Sequence, residues 1–109
     1  MVIPYKYEDK FHNGELIIGL CLDGKEFQGS NYKRIMLRNK YFKKIGDHYE
    51  NIREFGFPES VSEWGVLNGC LCFDGEKVVS VGETEKRRYV GTGTTVVFEP
   101  GNFKIWFNE

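Results

Sequence analysis

The chain of 109 residues contains no alanine, and this absence bears on its fold class. Alanine is the strongest helix former, whereas aromatic and β-branched residues fit the pleated surface of a sheet. Glycine reaches 13 residues, and aromatic residues make up 16% of the chain. The composition therefore predicts a turn-rich all-β protein, and the length predicts a single domain over residues 1–109.

A strong net charge and long apolar runs are also missing. The 15 Lys and Arg residues nearly balance the 16 Asp and Glu residues, so the net charge is −1 and gives no overall attraction to nucleic acid or to an anionic membrane. No segment approaches the roughly 18 apolar residues of a membrane-spanning helix, and the N-terminal segment lacks the apolar core of a signal peptide. We therefore expect a soluble protein without membrane contact or an export signal of this kind.

Cysteine is scarce, and the three cysteines are an odd number that lies within apolar runs: Cys21, Cys70 and Cys72. This pattern is typical of buried, reduced thiols in a cytosol rather than of a disulfide framework. Cys70 and Cys72 would share one face of a strand. A zinc site would need further ligands, which only His12 and His48 could supply from distant positions. We therefore expect core-filling thiols, with no metal and no other cofactor.

The common hydrolase motifs are absent as well, since the chain has neither G-x-S-x-G nor H-E-x-x-H. His48 follows Asp47 directly, and chain neighbours seldom face each other as a base and its orienting acid, so we interpret His12 and His48 as loop residues. A glycosidase pair stays open because its two acids would meet only in the fold. The candidate acids are Glu59, Glu63, Glu83 and Glu85. We predict a protein that is not an enzyme.

Apolar runs bounded by turn residues predict about eight short strands. The predicted strands are Leu16–Leu22, Tyr32–Arg38, Ile52–Phe57, Trp64–Phe73, Lys77–Gly82, Arg87–Val90, Thr94–Glu99 and Phe103–Phe107. This spacing is typical of a sandwich or barrel, and we favour an antiparallel, jelly-roll-like β-sandwich. Residues 1–14 are predicted to form an arm or edge segment, and residues 39–51 a long surface loop. Trp64 and Trp106 are predicted to anchor the core, with sugar stacking as the alternative.

Two segments carry nearly the same turn: LCLDGKE at residues 20–26 and LCFDGEK at residues 71–77. Asp-Gly between apolar strands predicts a type I′ hairpin, because both central residues need positive φ. Internal duplication and independent convergence both explain the repeat. We favour convergence, since many hairpins use this turn chemistry.

Charge is uneven in one place, the segment Tyr32–Lys44. Its six basic residues, with no acid among them, are Lys33, Arg34, Arg38, Lys40, Lys43 and Lys44. In a strand Arg34 and Arg38 would share one face, which favours a solvated side of a half-buried strand. Contact with an acidic protein surface is the second interpretation and contact with nucleic acid the third. The candidate contact residues for a partner protein are Arg34, Arg38, Tyr41 and Phe42.

The order of motifs resembles that of a family of small tailed-bacteriophage virion proteins, described as tail-fibre-like or head-decoration proteins. The motifs are GLCL at residues 19–22, QGSNYKRI at 28–35, FPESVSEWGVLNGCLCFDGEKVVSVGE at 57–83 and TGTTVVFEPGNFKIWF at 92–107. Together they extend over most of the chain. The basic residues 40–44 and the N-terminal segment depart from the family pattern.

The resemblance implies a β-sandwich that serves as a non-enzymatic structural protein of the phage particle, either as capsid decoration or in the tail. It implies homo-oligomers, contact with the major capsid or tail protein, and a location in the virion and, during assembly, in the host cytoplasm. It implies no catalytic residue. The alternatives are a phage-encoded inhibitor or nucleic-acid-binding β protein and a carbohydrate-binding module.

Overall fold

Strands dominate the computed structural model of the chain, which describes residues 1–108 with the exception of the Glu85 side chain. They are β1 (Val2–Ile3), β2 (Leu16–Leu22), β3 (Lys25–Glu26), β4 (Ile35–Leu37), β5 (Phe42–Ile45), β6 (His48–Asn51), β7 (Phe55–Gly56), β8 (Gly65–Asp74), β9 (Lys77–Val90), β10 (Val97–Phe98) and β11 (Lys104–Phe107). The helical elements are α1 (Glu8–His12) and 3-10 turns at Tyr5–Tyr7 and Asn39–Tyr41. The predicted all-β class is confirmed, with eleven strands in the described part instead of about eight.

The strands form three sheets that pack around one main hydrophobic core in a sandwich-like arrangement. In the five-stranded sheet, β3 and β4 share one edge of β2, and β8 and β9 follow on its other side. A four-stranded sheet has the order β1-β11-β6-β5, and β7 pairs with β10. Pairing is antiparallel except between β1 and β11, which run parallel.

Strand β2 was predicted to the residue because its apolar run is unbroken. Ile18 and Leu20 face the main core, on what we call the inner face of the five-stranded sheet. Cys21 lies on the opposite, outer face, where it packs with Leu71 and Phe73 in a second, smaller cluster. A strand covered on both faces appears in sequence as a continuous hydrophobic run.

The two Asp-Gly turns differ in register. In the first hairpin Asp23 and Gly24 are the loop residues, with φ of 51° and 81°, as a type I′ turn requires. In the second, Asp74 belongs to the strand and the loop is Gly75–Glu76, in which Gly75 alone has a positive φ, of 61°. The type I′ prediction is confirmed for the first turn and wrong for the second. This difference supports convergence rather than duplication.

Two predicted segments were wrong in kind. Residues 39–51 are a 3-10 turn followed by the β5–β6 hairpin, not a long surface loop. Its two-residue loop is Gly46–Asp47, and Gly46 has a φ of 62°. The predicted strands Lys77–Gly82 and Arg87–Val90 are one strand, β9. The predicted gap falls at an irregular stretch of β9, because Glu83 pairs with Gly69 and Arg88 with Leu67, which leaves residues 84–87 opposite Asn68 alone.

Residues 1–14 were predicted to form an arm or edge segment, and only β1 within them is an edge strand. Helix α1 places Phe11 in the core, fully buried, where its ring lies 5.3 Å from that of Phe42 and 5.4 Å from that of Phe107. The segment therefore contributes to the core and is not a free arm.

The two tryptophans have different environments. Trp64 is buried, as predicted, and its indole nitrogen donates to the carbonyl of Ser30 at 3.1 Å, so it presents no ring face for sugar stacking. Trp106 is only partly buried and lies 5.0 Å from the imidazole of His48. The core prediction is therefore wrong for Trp106.

The three cysteines are free and buried, as predicted. Burial raises the pKa of Cys70 and of Cys72 to about 12, so both thiols stay protonated at neutral pH. Within residues 1–108, with Glu85 set aside, no three His, Cys, Asp or Glu side chains converge as metal ligands. None of the helices described above has the length and apolarity to cross a membrane.

Candidate interaction surfaces

The predicted contact residues fall into two separate places. Arg38, Tyr41 and Phe42 line a shallow groove of about 230 Å³ beside Phe55. Arg38 is exposed, whereas Phe42 is buried and belongs mainly to the core. Arg34 lies elsewhere, on the outer face of the five-stranded sheet. The structure thus brings three of the four predicted contact residues together in one groove and places Arg34 elsewhere.

Arg34 is held within the molecule by Glu26. Its Nε and Nη2 donate to the two carboxylate oxygens at 2.9 and 2.8 Å, a bidentate pair. The Tyr32 hydroxyl donates to Glu26 at 2.7 Å and accepts the backbone N–H of Leu20 at 3.0 Å. The guanidinium lies 3.7 Å from the centre of the Phe73 ring. Arg34 therefore covers the small outer cluster, and its charge is already paired.

We expect Glu26→Gln to lower the free energy of unfolding by about 2 kcal/mol near neutral pH. The Arg34 pair lowers the pKa of the Glu26 carboxyl, so its contribution is present above the pKa of the unfolded chain and is lost as pH falls through the folded pKa. The difference in free energy of unfolding between Glu26→Gln and wild type should therefore become smaller in acid. Urea unfolding at neutral and acid pH measures it, with Glu76→Gln as control, since that carboxylate is 92% exposed and 3.6 Å from Arg34. A difference of equal size in acid would contradict the assignment.

The outer face of the five-stranded sheet is apolar beyond Arg34. Its exposed apolar residues, which we call the outer row, are Met36, Val66, Val78, Val81 and Tyr89, with 38% to 60% of each residue exposed. Val78 and Val81 lie beside the small cluster because they pair with Phe73 and Leu71, whereas Val66 and Tyr89 pair with each other towards the other end of β8. Single exposed hydrophobic residues are ordinary, whereas several on one sheet face indicate a contact surface.

A cleft of about 600 Å³ opens on the inner side, between the second half of β9 and the start of β11. Core residues form its floor: Leu20, Leu67, Cys70, Val90, Val96 and Phe103. Lys86, Arg88 and Lys104 are exposed along its rim, and Glu83 is the one carboxylate that the structure describes there. A cleft of this volume, with an apolar floor and a cationic rim, suits a ligand that carries both an anionic group and an apolar group.

A bulge in β9 shapes this cleft. Leu67 pairs with Arg88 and Gly69 with Glu83, so four residues of β9, 84–87, lie opposite the single residue Asn68 of β8. The Asn68 side chain donates to the carboxylate of Asp23 at 3.0 Å and accepts the Asp23 backbone N–H at 2.8 Å, which ties β8 at this point to the β2–β3 turn. Bulges bend a strand and redirect its side chains. Beside the bulge, Gly69 lies against the backbone of β9.

His48 does face its chain neighbour, contrary to the sequence-based expectation. Its Nδ1 lies 3.1 Å from Asp47 Oδ1, and its Nε2 lies 2.7 Å from Glu50 Oε2. Both histidines also lie in regular structure rather than in loops, because His48 begins β6 and His12 ends α1. The two carboxylates, Glu50 first, raise the pKa of His48. Both ring nitrogens of His48 are therefore occupied by carboxylates of its own hairpin.

We expect an NMR titration of the imidazole to place the pKa of His48 above its ordinary value of 6.5. A raised pKa means that the stabilisation is complete below the pKa of the unfolded chain and is lost as pH rises through the folded pKa. Glu50→Gln should lower this pKa more than Asp47→Asn, because Glu50 is the closer carboxylate. Equal effects of the two variants, or an unshifted wild-type value, would contradict this geometry.

The candidate acids do not form a visible pair. Glu59 and Glu63 are exposed in the segment before β8, and Glu83 is exposed on β9. The side chain of Glu85 lies outside the described residues.

Comparison with family models, with curated proteins and with solved structures found no match to this chain. The functional inference therefore depends on the motifs of the chain and on its surfaces. The motif GLCL lies in β2, and the long central motif forms β8 and the first half of β9. The outer row lies on the same five-stranded sheet.

Proposed function

We propose that this protein is a non-enzymatic structural component of a bacteriophage particle, a capsid decoration or tail-associated protein that binds other proteins and copies of itself. The outer row on the five-stranded sheet carries the proposal. It consists of Met36, Val66, Val78, Val81 and Tyr89. Aliphatic and aromatic groups exposed together on a rigid sheet are typical of a surface that another protein covers.

The resemblance to virion proteins supports the same function, because two of its motifs, at residues 19–22 and 57–83, contribute β2, β8 and part of β9 to this sheet. The partner in this proposal is the major capsid protein or a tail protein. The protein would be located in the virion and, during assembly, in the host cytoplasm. The groove at Arg38 and Tyr41 is a second, smaller contact surface on the same molecule.

Mass spectrometry of purified particles of the encoding phage tests this function. We expect the chain at high copy number, and we expect Val81→Asp to reduce its incorporation. Val61→Asp is the matched control, because Val61 is 63% exposed in a loop away from the sheet. Absence of the wild-type chain from particles would overturn the proposal, and equal incorporation of both variants would overturn the role of the outer row.

The cleft favours one second function, binding of single-stranded nucleic acid by a protein that acts inside the infected cell. Lys86, Arg88 and Lys104 would contact phosphates, and the partly buried Phe98 lies in the cleft wall as a stacking surface. The chain would then be missing from particles. A fluorescent oligothymidylate should bind with an affinity that falls steeply as salt rises, and Arg88→Glu should weaken it.

A further inference from the structure

The floor of the cleft between β9 and β11 is mainly aliphatic. Its aliphatic side chains and one thiol belong to the main core, and none of them is more than 7% exposed, so packing holds them in place. They are Leu20, Leu67, Cys70, Val90 and Val96. A fixed aliphatic floor fits a linear hydrocarbon chain, whereas nucleobases bind by stacking on aromatic rings.

The aromatic rings of the cleft are largely occupied by one another. Phe98 stacks on Phe55, with ring centres 5.3 Å apart, and meets Phe103 edge to face at 5.1 Å. One face of Phe98 is therefore covered, and the ring offers little surface to a base. The lining as a whole favours an alkyl chain over a nucleobase.

Two cations stand above this floor. Arg88 pairs with Leu67 across the strands, and paired residues of antiparallel strands share a face, so Arg88 rises from the inner face of the sheet. Lys86 lies in the bulge of β9 and also lines the cleft. Both residues are exposed, and no carboxylate that the structure describes forms an ion pair with either one. Such cations are available to an anionic ligand, and a guanidinium can bind a carboxylate through two hydrogen bonds.

Glu83, the described carboxylate of the lining, is directed away from the floor. It pairs with Gly69, which in turn pairs with Cys21 of the outer face. Its Oε1 lies at the β2–β3 turn, 3.1 Å from the place that a Cβ on Gly24 would take. This carboxylate therefore does not oppose an anion beside Arg88.

We propose that the cleft binds one long-chain fatty acid, with the alkyl chain along the aliphatic floor and the carboxylate at Arg88 and Lys86. The volume of about 600 Å³ lies within the usual range of small-molecule sites. The inference does not rest on the proposed virion function. Since the cleft and the outer row lie on opposite faces of the five-stranded sheet, the fatty acid and a protein partner can bind at the same time.

Isothermal titration calorimetry with dodecanoate, kept below its micelle-forming concentration, tests the site. We expect saturable binding of one dodecanoate per chain. The affinity should fall by about fourfold for each methylene removed, down to octanoate, because each methylene is buried on the floor. Dodecyltrimethylammonium has the same chain with a cationic headgroup and should bind more weakly by roughly tenfold or more.

Arg88→Glu should weaken dodecanoate binding by roughly tenfold or more. Lys77→Glu is the matched control, because it makes the same charge change at an exposed cation of β9 outside the cleft, and it should leave the affinity unchanged. Circular dichroism checks that both variants are folded. In NMR spectra of the wild type, dodecanoate should shift the amide signals of Gly69 and Gly82, which line the cleft. Gly75, in the β8–β9 turn, should not shift.

Any of four results would overturn the site: no saturable binding of dodecanoate, equal binding of dodecyltrimethylammonium, an unchanged affinity in folded Arg88→Glu, or amide shifts confined to residues outside the cleft. Oligothymidylate distinguishes the other ligand class. If it binds the cleft and dodecanoate does not, the fatty-acid site is wrong and the cleft is a nucleic-acid site.

Discussion

Replacing Asn51 with alanine is expected to lower the free energy of unfolding by about 3 kcal/mol or more, because it leaves several buried backbone groups without partners. Asn51 is 1% exposed. Its amide nitrogen donates to the carbonyls of Phe98 and Glu99 at 3.2 and 2.9 Å and to that of Arg53 at 3.0 Å. Its carbonyl oxygen accepts the backbone N–H of Phe103 at 3.0 Å. One side chain thus fixes two irregular segments to the end of β6.

Urea unfolding of wild type and variant measures this loss. Asn102→Ala is the control, since Asn102 is exposed in the cleft wall, and its effect should stay within about 0.5 kcal/mol. Asn51→Asp keeps the acceptor but places a carboxylate against three carbonyls, so this variant should be less unstable in acid, where it is protonated. Similar losses in the alanine variants of both asparagines would show that Asn51 does not hold these segments.

Gly69→Ala is expected to cost about 3 kcal/mol, at the upper end of what overpacking usually costs. A Cβ at this position would lie 2.3 Å from the carbonyl oxygen of Gly82 and 3.0 Å from the Cα of Glu83. Both are backbone atoms, so no side chain can turn aside to make room. Strands β8 and β9 would have to separate at the bulge, where the cleft is shaped.

Gly82→Ala is the matched control for this prediction. The two glycines lie on paired strands of one sheet, but a Cβ at Gly82 would meet Met1 at an ordinary 3.5 Å. The effect on intrinsic strand preference is therefore nearly the same in both variants, and the close backbone approach differs. Thermal unfolding should show a drop of roughly 10 °C or more for Gly69→Ala and little change for Gly82→Ala. Equal drops would rule out the steric explanation.

Where both faces of a strand are buried, the sequence predicted it well. Strand β2 agrees at both ends, and β8, at Gly65–Asp74, differs by one residue at each end from the predicted Trp64–Phe73. Hydrophobic runs report burial, and these strands lie in the middle of the five-stranded sheet. The same signal fails for β5, β6 and the second half of β9, whose side chains largely face water.

Three other predicted strands are present but short. The predicted Tyr32–Arg38 is reduced to β4 because Tyr32 and Arg34 turn their side chains towards Glu26. The predicted Ile52–Phe57 and Thr94–Glu99 are reduced to β7 and β10. Around them the chain is held by Asn51 and by Ser60, whose hydroxyl donates to the carbonyls of Gly91 and Thr94. Hydrogen bonds between residues so far apart in the chain cannot be predicted from local strand propensity.

The candidate surfaces were predictable only where neighbours in sequence are neighbours in space. Arg38, Tyr41 and Phe42 lie within one turn of chain, and they do share a groove. The internal role of Arg34 depends on Glu26 from another strand, and the cleft depends on the bulge of β9 opposite Asn68. The missed β5–β6 hairpin did have a local signal, Gly46–Asp47 between FKKI and HYEN.

The cysteines lie on both faces of the five-stranded sheet, so their reactivity can report local opening of either face. Cys21 lies on the outer face, in the cluster that Arg34 covers, whereas Cys70 lies on the inner face at the cleft floor. Both thiols are buried in the intact sheet, so a rise in the rate of alkylation at either sulfur reports opening of the face on which it lies. Loss of the Glu26–Arg34 pair would accelerate labelling at Cys21, and separation of β8 from β9 would accelerate it at Cys70.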